Sequence, residues 1–155
     1  MMSNMQYIRT EIAQELELYE KGLVPSTPGS AGIDLYVAEE RAITLHHSVP
    51  TIIRTGLHLW TNDSSLITIL APRSSSDFRL TNTIGFIDSD YQGELMIRAL
   101  AQSEDRLVTF QSGDKFAQMF IFPVISPLQI AAIEVDSFSV KTDRGAGGFG
   151  STGKR

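Results

Sequence analysis

The chain contains no cysteine. Disulfides and thiolate metal sites are therefore excluded, and a reducing cytoplasm is compatible. Histidine is scarce, with three residues. His46 and His47 are adjacent, so on a strand they face opposite ways and cannot share a metal. His58 stands alone. Neither H-x-x-x-H nor G-x-S-x-G occurs, which removes the usual zinc-helix and serine-nucleophile signatures. No apolar run approaches the roughly 18 residues of a membrane span, so none is expected. The opening "MMSNMQYIRTE" has no basic stretch leading into an apolar one, and no signal peptide is expected. Positive charge is also short: the net charge is −5. Residues 141–155 carry a local +3, leaving −8 on the rest. An acidic body argues against stable nucleic-acid binding, which needs a basic face. The small basic tail suits a compact anion such as a phosphate.

At 155 residues the chain is expected to be one domain. Most segments read as strands. "TIIRTGLHLW" (51–60), "SLITIL" (65–70), "ELMIRAL" (94–100), "RLVTF" (106–110), "KFAQMFIF" (115–122) and "LQIAAIEV" (128–135) are short and rich in β-branched and aromatic residues. Asn62-Asp63, Ser112-Gly113-Asp114 and Ser126-Pro127 supply turns between them. This regular short spacing predicts an all-β barrel or sandwich. The N-terminus carries two patterns. Met5, Ile8, Ile12, Leu16 and Tyr19 recur at helical spacing, with Gly22 available to end a helix, while "ELELY" (15–19) alternates as a strand would.

The last residues, "DRGAGGFGSTGKR" (143–155), hold five of the twelve glycines. They satisfy G-x-G-x-x-G, but a dinucleotide fold needs a following helix and an acidic residue about 20 positions on, and the sequence supplies neither. They also satisfy G-x-x-x-x-G-K, but Arg155 stands where Ser or Thr is required. Two readings remain: a disordered tail, or an arm that closes over a nucleotide. The second draws on glycine backbone N–H groups, the Arg144 fork, the Ser151 and Thr152 hydroxyls and a stacking ring at Phe149. In "GFIDSDYQGE" (85–94), Asp88 and Asp90 share a face if extended. That suits either a water-orienting carboxylate or a solvated hairpin turn. "APRSSSD" (71–77) places Arg73 and three hydroxyls after a strand, a phosphate seat or a polar loop. Gln118 sits in an apolar strand, and Asp34 enters one from "GSAGIDL" (29–35).

Together, "AGIDLY" (31–36), "PRSSS" (72–76), "GFIDSDYQGE" (85–94), "GDKFAQMFIFP" (113–123) and "RGAGGFGSTG" (144–153) resemble the five ordered motifs of the trimeric dUTPases. The resemblance spans roughly residues 23–153, and five motifs in order are far more specific than any one. It implies a β jelly roll, with a core over about 23–140 and a flexible arm over 141–155. It implies a homotrimer with shared active sites, and hydrolysis of dUTP to dUMP and pyrophosphate with Mg²⁺. By motif match, Asp88 would hold the attacking water and Tyr91 would pack under deoxyribose. The hairpin around Asn82 and Gly85 would read uracil. Arg73, Ser74, Ser75 and Gln118 would contact phosphates, and Asp34 would lie near the metal, acting through water. Phe149 would cover the base, and Arg144, Gly150, Ser151 and Thr152 would close on the phosphates. The implied location is the cytoplasm, or the host cytoplasm or nucleus for a viral protein.

The sequence departs from the family in places. Ser75 stands where glycine is frequent, the 73–88 stretch is short and lacks the usual Lys-x-Gly-Ile, and residues 1–20 match poorly. Two rivals share the fold. A dCTP deaminase would need a glutamate ten positions after Asp88, where this chain has Arg98. A non-catalytic nucleotide-binding module would not need an intact Asp88.

Overall fold

The computed structural model describes residues 5–143 and 145–146. Ten strands follow in chain order: β1 (Gln6–Arg9), β2 (Ile33–Tyr36), β3 (Ile43–Leu45), β4 (Thr51–Trp60), β5 (Leu66–Pro72), β6 (Phe78–Leu80), β7 (Gly85–Ile87), β8 (Glu94–Ala101), β9 (Val108–Phe110) and β10 (Lys115–Pro123). One short helix, α1 (Glu11–Glu15), lies between β1 and β2. The strands form two four-stranded sheets, ordered β1-β4-β8-β6 and β2-β10-β5-β7, with β3 and β9 paired separately. Every pairing is antiparallel. The fold is all-β, of the jelly-roll type the motifs imply.

Period-two patterning sets the core. On β8, Leu95, Ile97, Ala99 and Ala101 are buried, while Met96 and Arg98 between them are exposed. β4 and β10 face the same interior through Ile53, Leu57, Leu59, Phe116, Ala117 and Met119. The phenyl rings of Phe78, Phe110 and Phe116 pack mutually, the first two edge to face at 5.6 Å between centroids. Midway along β4 the register against β8 shifts between Arg54 and His58. Gly56 sits there at φ +70°, where a Cβ would fall 2.6 Å from the Ala13 Cβ and 2.7 Å from the Ala38 Cβ. Only glycine admits both that backbone and that close approach of α1.

The N-terminal segment contains both patterns seen in the sequence, in succession. Residues 6–9 pair with β4, and Thr10 then caps α1, its hydroxyl accepting from the Ala13 N–H at 3.4 Å. The helix stops after one turn because Glu17 and Tyr19 take positive φ, 56° and 59°. The alternating "ELELY" is therefore not a strand. Its last residue turns inward: the Tyr19 hydroxyl donates to the Thr55 carbonyl at 3.0 Å and accepts from the Tyr36 N–H at 3.1 Å. Gly22, at φ +83°, serves this turn rather than a helix end.

The expected strand over 128–135 does not form. A single 3₁₀ turn covers Pro127–Gln129, and the described strands end at Pro123. Ile130, Ile133 and Val135 are 58%, 79% and 56% exposed, so the apolar pattern is present but none of the described residues covers it. Among the described residues, no helix is long and apolar enough to cross a membrane.

Candidate active site

The strand order explains where the polar residues gather. Asp34 on β2 lies opposite Gln118 on β10, and Gln118 lies opposite Ala71 on β5, one residue before Pro72 and two before Arg73. The end of this sheet therefore carries three of the sequence-predicted residues. Asp34 is at its centre and is buried. Its Oδ1 accepts from the Gln118 amide at 3.3 Å and faces the Arg73 Nε at 3.4 Å. Its Oδ2 accepts from the Ser26 hydroxyl at 3.0 Å and pairs with the Lys115 Nζ at 2.9 Å. Burial by itself would raise the Asp34 pKa. The Lys115, Ser26 and Gln118 hydrogen bonds outweigh it and hold the carboxyl below its ordinary value. In turn the carboxylate raises the Lys115 pKa.

Nothing in the sequence pattern singles out Ser26 or Lys115. Strict alternation would put Lys115 and Gln118 on opposite faces of β10. The register shift between Lys115 and Ala117 adds one residue and turns Lys115 to the Asp34 side. A bulge of this kind leaves no mark in the residue pattern. Ser74 and Ser75 are exposed beyond the end of β5, in a turn closed by the Ser76 N–H donating to the Arg73 carbonyl at 3.0 Å.

A second group forms around the β6–β7 hairpin. Asn82 and Gly85 line a cavity of about 280 Å³ together with Leu70, Met96 and Arg98. At Gly85 a Cβ would lie 3.1 Å from the Leu70 Cβ, so the hairpin packs tightly on β5. At the tip, the Ile84 N–H donates to the Asn82 carbonyl at 2.7 Å across Thr83, which has φ +66°. This is a three-residue turn with a β-branched residue in the left-handed region, a strained combination.

Asp88 follows β7 and is exposed. Among the described residues its carboxylate has no hydrogen bond or ion pair. Its carbonyl accepts from the Tyr91 N–H at 3.2 Å, and the Tyr91 hydroxyl donates to the Glu94 carbonyl at 3.1 Å. The ring folds over Gly93, where a Cβ would meet the Tyr91 oxygen at 2.3 Å. Glu94 is fixed in turn, with Oε2 2.7 Å from the Arg54 Nη2 and Oε1 accepting from the Gly56 N–H at 2.9 Å.

The two groups do not meet within one chain. Asp34 and β7 are separated by two intervening strands, and the ladder places Asp88 about four residues further along than the Asp34–Gln118–Ala71 row. With about 4.8 Å between strands and about 3.3 Å per residue, the gap is on the order of 20 Å. Arg144, Phe149, Gly150, Ser151 and Thr152 lie outside the described residues.

The residue set can be tested against Mg²⁺. Among the described residues, no cluster of three or more His, Asp or Glu side chains exists. Both Asp34 oxygens are engaged by donors. Such a set fits an ion held mainly by substrate phosphates and water, the common mode for magnesium, with Asp34 acting through water.

Residues 19–153 match the dUTPase family model. The deoxyuridine 5'-triphosphate nucleotidohydrolase of Acinetobacter baylyi is 39% identical over 134 residues, covering 84% of this chain and 86% of that protein. The protein of the same name from Bordetella avium is 40% identical over 133 residues, covering 83% and 86%. Among solved structures, the Staphylococcus bacteriophage 80alpha dUTPase with dUPNHPP superposes with a TM-score of 0.81 at 20% identity, covering 99% of this chain and all of that one. A variant dUTPase from S. aureus phage phi11, described with a structural Mg(II) ion, superposes with a TM-score of 0.69 at 18% identity, covering 88% and 99%.

Proposed function

The chain belongs to the dUTPase family, and from that premise we propose that it hydrolyses dUTP to dUMP and pyrophosphate. The observation that carries the reading is the division of its polar residues into two complementary sets. Arg73, Gln118 and the turn hydroxyls are donors, as phosphate oxygens require. Asp88 is an uncommitted acceptor beside the hairpin that lines the second cavity. A water held by Asp88 attacks the α-phosphorus. Its oxygen bonds to phosphorus as the bond to the bridging oxygen breaks, and Asp88 takes the proton. The donors of the first set offset the charge that repels the incoming oxygen. Mg²⁺, when bound, supplies further neutralisation of the triphosphate and of the pyrophosphate that leaves. By motif match, Asn82 and Gly85 read the base from the hairpin, and the Tyr91 ring packs under the deoxyribose, where a ribose 2′-hydroxyl would clash. Arg144, Phe149, Gly150, Ser151 and Thr152 close the site from the C-terminal arm, a role that rests on motif match. The cytoplasm, or a host cell's cytoplasm or nucleus, is the compartment this reaction implies.

The working unit is a homotrimer with shared sites. A nucleotide spanning both groups cannot do so in one chain across on the order of 20 Å between strands. Among the described residues, clustered apolar surface is bare on two segments in particular. One is the 128–140 segment, with Phe138 91% exposed. The other is the outer face of β5, β7 and β10, where Phe120 stacks on Phe122 at 6.2 Å, and Phe86 and Phe122 are exposed. Patches of that kind mark contact surfaces.

Pyrophosphate release from dUTP, dTTP, dCTP and UTP, with and without Mg²⁺, tests the reading. Mg²⁺-dependent turnover of dUTP alone is expected. Ammonia from dCTP would make the chain a deaminase, and binding without pyrophosphate release would make it a regulatory module.

A further inference from the structure

Asp34 faces two cations with a single negative charge. Ser26 and Gln118 donate one to each oxygen, and the Arg73 Nε stands 3.4 Å from Oδ1. Lys115 adds a second cation to a single carboxylate at 2.9 Å. The lysine is nevertheless held in place. The β10 bulge aims it, and its Nζ lies 5.7 Å from the centre of the Tyr36 ring. Its side chain stays 41% exposed. It borders a cavity of about 200 Å³ together with Arg73, Ser75 and Ser76. Asp77 also reaches that cavity, but its charge is met by Arg106 at 2.9 Å. Two cations and two hydroxyls therefore surround one space, and the Asp34 carboxylate offsets only one of the positive charges. A surplus of charge on a preorganised donor set is complementary to an anion. With two cations it suits a polyphosphate better than the single phosphate ester that remains after cleavage.

We propose that Lys115, with Ser76 beside it, is a further ligand of the nucleotide's polyphosphate, drawn from Asp34 toward the phosphates when substrate enters. The inference rests on the dUTPase reading and deepens it. In the free protein Asp34 and the Tyr36 ring already restrain the ammonium at the edge of this cavity, so less side-chain ordering is left to occur on binding.

Calorimetric titration of the full chain with dUMP and with a non-hydrolysable imido analogue of dUTP, both with Mg²⁺, tests it. Lys115→Gln should weaken the analogue by about 10- to 100-fold, the usual worth of a hydrogen bond to a charged group. Its affinity for dUMP should hold, and Lys115→Arg should restore analogue binding. Equal losses for the two ligands would make Lys115 a structural prop for Asp34, and no loss for the analogue would also overturn the proposal. A second readout needs no variant. In the wild-type chain, the analogue should protect Lys115 from an amine-acylating reagent, measured by mass spectrometry, while dUMP should not. Equal protection by both, or none, counts against it. A wild-type chain that bound neither nucleotide would sink the dUTPase reading itself. Normal dUTP turnover with an unaffected Lys115→Gln variant would sink only this inference.

Discussion

Asp88 and Thr83 are both residues whose environment looks wasteful until a ligand is considered. Asp88 is a carboxylate without a partner among the described residues, on a turn that Tyr91 and Gly93 hold in shape. If it is the general base, Asp88→Asn should bind the imido analogue normally and lose about 10²–10⁴-fold in kcat. Single-turnover kinetics beside a binding isotherm separate the two, and unchanged turnover would remove Asp88 from the mechanism. Thr83 stores strain instead. At φ +66° a β-branched residue costs about 1–3 kcal/mol relative to an unstrained backbone. Thr83 is exposed, so glycine there would lose no packing. Allowing for the extra freedom glycine has when unfolded, Thr83→Gly should gain about 1 kcal/mol in urea unfolding followed by Trp60 fluorescence. A loss of stability would mean that the turn is not strained.

At the level of elements, Asp34 is the point where β2, β5 and β10 are tied together electrostatically. Its folded-state pKa is depressed, so its contribution to stability is fully present above the unfolded value of about 3.9 and is lost as pH falls through the lower folded value. The stability difference between wild type and Asp34→Asn should therefore be constant from neutral pH down to about 5 and shrink below about 4. Urea midpoints across that range measure it, and a gap that stays constant to pH 2 would contradict the ion-pair account.

The same elements show what the sequence reveals and what it hides. β4, β8 and β10 are legible because one face of each is buried, which forces alternation. Asp34, Arg73 and Gln118 are legible as polar residues at the ends of apolar strands. The β10 bulge is not legible, because it changes the facing of Lys115 without changing any residue type. The 128–135 segment misleads in the opposite way. Its alternation is real, but a strand also needs a partner, and although β1, β6, β2 and β7 stand at sheet edges, the segment pairs with none of them. The N-terminus was ambiguous because it contains four residues of strand and five of helix, each too short for its period to stand out.

For the whole molecule, the separation of the Asp34 group from the Asp88 hairpin decides between two architectures. If each chain worked alone, a nucleotide would have to bridge on the order of 20 Å of sheet. If chains associate, the phosphate donors of one can face the hairpin of another, and the exposed 128–140 residues gain a surface to cover them. The two architectures predict opposite results when damaged chains are mixed. Asp88→Asn and Arg73→Ala should each be inactive alone, because each damages every site. Unfolded together and refolded as mixed assemblies, they should recover activity. By random assortment about a quarter of the sites would draw an intact Arg73 from one chain and an intact Asp88 from its neighbour, as a closed ring with a repeated heterologous contact allows. Light scattering on the same sample should give three times the mass of one chain. Activity no higher than the sum of the two separate variants would place Arg73 and Asp88 in one chain's site and refute the shared arrangement.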